Sequence, residues 1–163
     1  MIEQLKELLM MQKALDEHIM EERGLRCYPT KNMQVALFVE LGELLNEYPT
    51  KFKHWKKMPV DSREKGLVEY VDCLHFQMSL FNHFGIMINE QRHDYNSEAN
   101  RFLVENPDMF LLNMMNCVDN SSNQDGLAEL FEIGNWLGFK WEEIYKAYID
   151  KNKVNYERIK NNY

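Results

Sequence analysis

Glycine and proline are scarce in this chain of 163 residues, with only 7 of one and 4 of the other. The prolines fall between periodic segments, so little in the sequence interrupts a helix. Strand-like alternation is missing at any useful length, and so are internal repeats and low-complexity tracts. Paired cysteines are missing too. Cys27, Cys73 and Cys117 are widely spaced, an odd number without a C-x-x-C pair. That fits structural thiols in a reducing compartment. No uncharged stretch approaches the roughly 20 residues that span a bilayer. The opening "MIEQLKELLMMQ" mixes charges into its apolar pattern, unlike a signal peptide. A soluble, cytoplasmic protein with no membrane partner is the expectation. Net basic charge is also absent. The balance is -7, with acidic residues spread along the chain, which argues against a nucleic-acid partner. None of the serines (Ser62, Ser79, Ser97, Ser121, Ser122) stands in a G-x-S-x-G elbow, so a nucleophilic triad has no sequence support.

What is present is apolar residues at helical spacing. They belong to a composition that is 45% hydrophobic, too rich for a disordered chain. Ile2, Leu5, Leu8, Leu9, Leu15 and Ile19 share a face, and Gly24 offers a stop. A second helix follows Thr30 and ends before Pro49, and a third follows Asp61 and ends at Gly85. A fourth is expected over about 97–116, a fifth after the turn-rich "SSNQDG" with a stop at Gly138, and a sixth from Trp141. The fold class is all-α, a bundle of about six helices in one domain, 1–163. Segment 89–140 is a candidate cap or dimerisation piece.

Two of these helices carry acidic residues where apolar ones are expected. Glu40 and Glu43 lie three apart in "LFVELGELL", and Glu69 and Asp72 lie three apart in "LVEYVDCLHF". Residues three apart share a helix face. Each helix is apolar nearly all round, so at least one carboxylate faces inward, where it needs a cation, a donor or a proton. Two antiparallel helices would gather four carboxylates, which repel unless divalent cations neutralise them. Oxygen ligation without thiolate suits Mg²⁺ or Mn²⁺ rather than zinc. One such pair alone is commonly a solvated face or half an ion-pair network. A di-iron carboxylate bundle is another reading, because Asp72 and His75 are spaced like E-x-x-H, but only one such pairing occurs. Near the end of the chain, Lys151, Asn155 and Arg158 follow at steps of four and three on one helical face. They form either an anion cradle or a solvated basic tail.

An E-x-x-E pair followed after about 25 residues by E-x-x-D resembles the motif of the all-α nucleoside triphosphate pyrophosphatases. Those include the dimeric dUTPases, the MazG-like enzymes and the phosphoribosyl-ATP pyrophosphatases. "MQKALDEHI", "FKHWKK", "EYVDCLHFQMS" and "KNKVNYERIKNNY" together resemble the dimeric dUTPase family, over nearly the whole chain. The resemblance implies a Mg²⁺-dependent dUTP diphosphatase acting on dUTP and dUDP. It implies attack of water on the α-phosphorus to give dUMP, and a homodimer. It gives Glu40, Glu43, Glu69 and Asp72 to metal and catalysis; among the four, our own choice to orient the water is Glu43, with the other three mainly metal ligands. It gives Lys151, Asn155, Arg158 and Tyr163 to the phosphates and sugar. The chain departs from the family at Asn162, where a glycine usually precedes the final tyrosine.

For the base, the resemblance carries over Gln12, with Asp16 one turn on, against the uracil edge. It places an aromatic, Phe76, beneath the ring, with His75 beside it. Both also read as plain core residues. Trp55, in the loop between the carboxylate pairs, would wall the base or mark a dimer surface. A relative with dCTP or modified-nucleotide specificity would keep the carboxylates and change Gln12, His75 and Phe76. A non-enzymatic helical protein binding partners through an acidic face is the rival of a different class. The many large apolar residues (11 Met, 9 Phe and 8 Tyr) also favour a homodimer.

Overall fold

The computed structural model describes residues 1–95 and 107–161. The described residues form six α-helices: α1 (Ile2–Glu22), α2 (Thr30–Asn46), α3 (Arg63–His83), α4 (Pro107–Asp119), α5 (Gln124–Trp136) and α6 (Trp141–Lys160). A 3₁₀ turn, Pro49–Lys51, follows α2, and there is no strand among the described residues. The all-helical expectation is therefore met. The termini follow local chemistry. Gly24 and Gly138 stop α1 and α5 in the left-handed region, at φ +62° and +74°. Asn123 caps α5 by accepting from the Asp125 amide.

The described part of the fourth helix is Pro107–Asp119, with Pro107 its first described residue. Residues 97–106, also expected to be helical, lie outside the described residues. Segment 89–140 contains α4 and α5.

Helix α3 is the central element. It packs against α1, α2, α5 and α6, and α4 packs against α5 and α2. Its buried side chains point in several directions: Tyr70, Leu74, Met78 and Phe81 are all in the core. Leu5, Leu8 and Leu15 of α1 and Leu37, Leu41 and Leu44 of α2 supply layers from either side. Gly134 lets α5 close onto α3, because a Cβ there would come within 2.6 Å of the Tyr70 hydroxyl. That hydroxyl donates to the Leu130 carbonyl at 3.0 Å and locks the two helices in register. Asn82 of α3 donates to the Leu9 carbonyl at 2.8 Å and does the same for α1. These contacts leave a cleft bounded by α1, α2, α3 and α6.

Candidate active site

The α2–α3 pair brings three of the expected carboxylates together. Oxygen atoms of Glu40, Glu43 and Glu69 lie within 4.8 Å of one another. Glu43 is exposed, while Glu40 and Glu69 are half-buried. Burial, then the negative charges of Asp72, Glu43 and Glu69, push the Glu40 carboxyl up to about 7. Burial first, then Asp72 and Glu43, raise Glu69 as well. Lys151 opposes both shifts. A cluster that raises its own proton affinity is equally ready to take another cation. Its donors are all hard oxygens, and the one adjacent thiol, Cys73, is buried in the core. The donor set therefore fits Mg²⁺ or Mn²⁺.

Asp72 stands differently from the other three. Lys151 of α6 donates to its Oδ2 at 2.5 Å, with both side chains mostly out of solvent. The fourth expected carboxylate is thus paired with the first residue of the expected anion cradle. Lys151, Asn155 and Arg158 all face one cleft of about 300 Å³, together with Glu40, Asp72, Gln12, Asp16, His75 and Phe76. Residues from four helices, up to 146 positions apart in sequence (Gln12 to Arg158), meet there.

At the other end of the cleft the polar side chains are mutually saturated. The Gln12 Oε1 accepts from the Tyr148 hydroxyl at 2.6 Å and lies 2.7 Å from His75 Nδ1. Its Nε2 donates to Asp16 Oδ1 at 2.8 Å. A carbonyl oxygen accepts only, so His75 carries its proton on Nδ1. His75 Nε2 finds no hydrogen-bond partner in the protein. Burial and the Lys151 charge push this imidazole down to about 3, so it is neutral. Its ring stacks on Tyr148, with centroids 4.0 Å apart. Burial pushes Asp16 up to about 6, opposed by its bonds from Ser79 and Gln12.

The amide expected to read a base is therefore not free to present both its groups. Its oxygen is fully used, and one N–H remains. The unpartnered ring nitrogen at this end is His75 Nε2, which is itself buried. Tyr148 was not singled out from the sequence for this role; its place one turn before Lys151–Asn152 on the buried face of α6 was the available signal. Met33 and Ile19 line the same cleft and carried no polar signal. Trp55 is not brought to the cleft. It is exposed, with its ring edge-on to Phe52 and His54 in the loop after α2. Tyr163 lies outside the described residues.

The raised carboxyls have a consequence for stability. A group whose folded pKa lies above its unfolded value stabilises the fold at low pH and loses that contribution as pH rises through the folded value. Asp16 (about 6), Glu40 (about 7) and Glu129 (about 7, raised mainly by burial) all act this way. The depressed His75 acts in the opposite sense, but mainly below its unfolded value of about 6.5. In a chelator, the melting temperature should therefore fall between about pH 6.5 and 8.5. Millimolar Mg²⁺ should recover part of the loss at the higher pH. A melting temperature that rises over this interval in the chelator would contradict the assignment.

Comparison with protein families matches residues 4–163, nearly the whole chain, to the family model described as dUTPase. A search of curated proteins returns no match. No described helix is long and apolar enough to cross a membrane.

Proposed function

Since this chain belongs to the all-α dimeric dUTPase family, and is in that sense a dUTP diphosphatase, we propose that its four-helix cleft converts dUTP, and dUDP, to dUMP with Mg²⁺ (or Mn²⁺) as the required ion. The observation that carries this reading is the meeting of three chemistries in one cleft. Carboxylates, a Lys–Asn–Arg face and a base-sized polar end adjoin one another.

Glu40, Glu43 and Glu69 would hold the divalent ion, with Asp72 joining them once Lys151 turns to the substrate. When bound, that ion offsets phosphate charge and makes water more acidic. Lys151 supplies a point charge to the phosphates, Arg158 a planar fork and Asn155 a neutral donor. Glu43, the exposed member of the cluster, orients the attacking water and takes its proton. The water oxygen bonds to the α-phosphorus, the bridging bond to the β-phosphate breaks, and pyrophosphate leaves. With dUDP the leaving group is phosphate.

Uracil offers an N3–H donor and an O4 acceptor. His75 Nε2 accepts the first, and the remaining Gln12 N–H donates to the second, while Phe76 packs against the ring. Cytosine presents a bare N3 and an N4 amine, a mismatch at both points. A site built to hydrogen-bond a group rejects its analogue strongly, by about 10⁴ or more in favourable cases. The test is kcat/KM for each deoxynucleoside triphosphate with Mg²⁺, with and without EDTA, in wild type and Gln12→Ala. Wild type should favour dUTP by at least about 10²-fold over dCTP, and Gln12→Ala should erode that ratio. Equal cleavage of dCTP and dUTP by wild type would transfer the protein to a broader pyrophosphatase specificity.

The homodimer reading is supported by a second surface. Phe38 and Val39 of α2 are 66% and 47% exposed, and Met115 of α4 is 69% exposed. With Leu45, Phe52 and Leu111 they line an almost wholly apolar groove of about 500 Å³. Patches of this kind on a stable protein mark an interface. A second copy of the chain is the occupant the family supplies. Light scattering at micromolar concentration should give twice 19.6 kDa. Phe38→Glu should shift the protein to monomer, because a buried unpaired carboxylate costs several kcal/mol, about 2 or more. A wild-type mass near that of one chain would refute the dimer.

A further inference from the structure

Asp16 does not stand alone at the base end of the cleft. Its Oδ2 accepts from Ser79 Oγ of α3 at 2.7 Å, and Ser79 Oγ lies 2.5 Å from the Tyr28 hydroxyl. Tyr28 comes from the segment between α1 and α2. Its ring stacks on His83, with centroids 4.0 Å and planes 15° apart, and His83 Nε2 lies 3.0 Å from Thr30 Oγ1. A chain of hydrogen bonds thus runs from the half-buried Tyr28 through fully buried Ser79 to Asp16, and on to Gln12.

Each link in this chain has one permitted direction. An ionised carboxylate only accepts, so the single Ser79 hydrogen goes to Asp16. Tyr28 must then donate to Ser79. Asp16 Oδ1 also needs a donor, which fixes the Gln12 amide with its nitrogen toward Asp16. The Gln12 oxygen is then the atom that faces Tyr148 and His75. That in turn holds the His75 proton on Nδ1 and leaves Nε2 as an acceptor. Amide orientation and imidazole tautomer are two-state choices with little intrinsic preference. Here their setting is decided by groups outside the base-contacting set.

We propose that Ser79 and Tyr28 are specificity-positioning residues: through Asp16 they set the Gln12 amide and the His75 tautomer in the arrangement that matches uracil rather than cytosine. The inference rests on the dUTPase reading for its substrate consequence. Without the Ser79 hydroxyl, Asp16 loses a donor and takes up a proton more readily. A protonated Asp16 can donate to the Gln12 oxygen. The amide then turns over, its nitrogen faces His75, and the proton moves to Nε2. That pattern suits the bare N3 of cytosine.

The experiment uses the full chain with Mn²⁺ or Mg²⁺ and compares wild type, Ser79→Ala, Ser79→Thr and Tyr28→Phe. Two quantities are measured: the dUTP-to-dCTP ratio of kcat/KM, and the His75 tautomer by ¹⁵N-resolved NMR of the nucleotide-free protein. Wild type should show a protonated Nδ1. Ser79→Ala should lower the selectivity ratio by at least about tenfold, mainly through KM for dUTP, and introduce the Nε2–H tautomer. Tyr28→Phe should move both readouts the same way by less, and Ser79→Thr, which keeps the hydroxyl, should restore them. If Ser79→Ala does not fold, Tyr28→Phe decides between the same outcomes. Wild-type His75 protonated at Nε2 would overturn the proposal, as would folded variants with unchanged tautomer and a ratio within about twofold of wild type. Loss of uracil preference in the wild type itself, with the Nδ1–H tautomer intact, would instead sink the base reading and leave the positioning chain standing.

Discussion

Glu43→Ala should lower dUTP turnover by at least about 10³-fold, equivalent to about 4 kcal/mol of barrier, and Asp72→Ala should do the same. The two variants should part company in apo stability. Glu43 is an exposed carboxylate whose charge raises its neighbours Glu40 and Glu69, so removing it relieves repulsion. Its apo melting temperature at about pH 8 should stay level or rise. Asp72 is the ion-pair partner of Lys151. Removing it strands a largely buried ammonium, and apo stability should not improve. Both variants should keep the helical circular dichroism of wild type. Turnover within about tenfold of wild type in either would remove the carboxylates from catalysis.

The second large effect concerns Lys151. Its ammonium sits on Asp72, the carboxylate that would complete the ion site. Lys151→Met keeps the length and apolar stem of the side chain and deletes the charge. Turnover should fall by at least about 10²-fold, because a phosphate-holding cation is lost. Apo stability should fall by about 2 kcal/mol, since Asp72 is then unpaired beside three other acidic residues. Mn²⁺ binding measured by calorimetry without nucleotide should tighten, because Asp72 no longer has an internal competitor. An unchanged or weaker Mn²⁺ affinity would mean that Lys151 and the ion do not share Asp72.

The parts of this site that could be read from sequence are those fixed within one helix. Glu40 with Glu43, Glu69 with Asp72, and Lys151 with Asn155 and Arg158 are set by helical spacing alone, and the apolar residues around the first two pairs gave them away. What sequence spacing does not carry is which helices face each other. Gln12 and His75 are 63 positions apart, and Gln12 and Tyr148 are 136 apart, yet all three share one hydrogen-bonded group. The amide at Gln12 was legible as a candidate, but its saturation by Tyr148, His75 and Asp16 required the packing of α1, α3 and α6. Ser79 and Tyr28 gave no sign, since a serine on an apolar helix and a tyrosine in a loop are ordinary. Asp72 was read as a fourth member of the carboxylate cluster, and its pairing with Lys151 depends on where α6 crosses α3. The helix that carries Glu40 and Glu43 reads as apolar nearly all round, more than one face's worth of apolar side chains. In the folded chain Phe38 and Val39 look outward.

The central claim is that this cleft directs water to the α-phosphorus of dUTP. Hydrolysis of dUTP in ¹⁸O-labelled water with Mg²⁺, followed by mass spectrometry of both products, tests it most directly. The account predicts one labelled oxygen in dUMP and none in the pyrophosphate, with no reaction in EDTA. Label in the pyrophosphate, or release of dUDP and phosphate from dUTP, would contradict it.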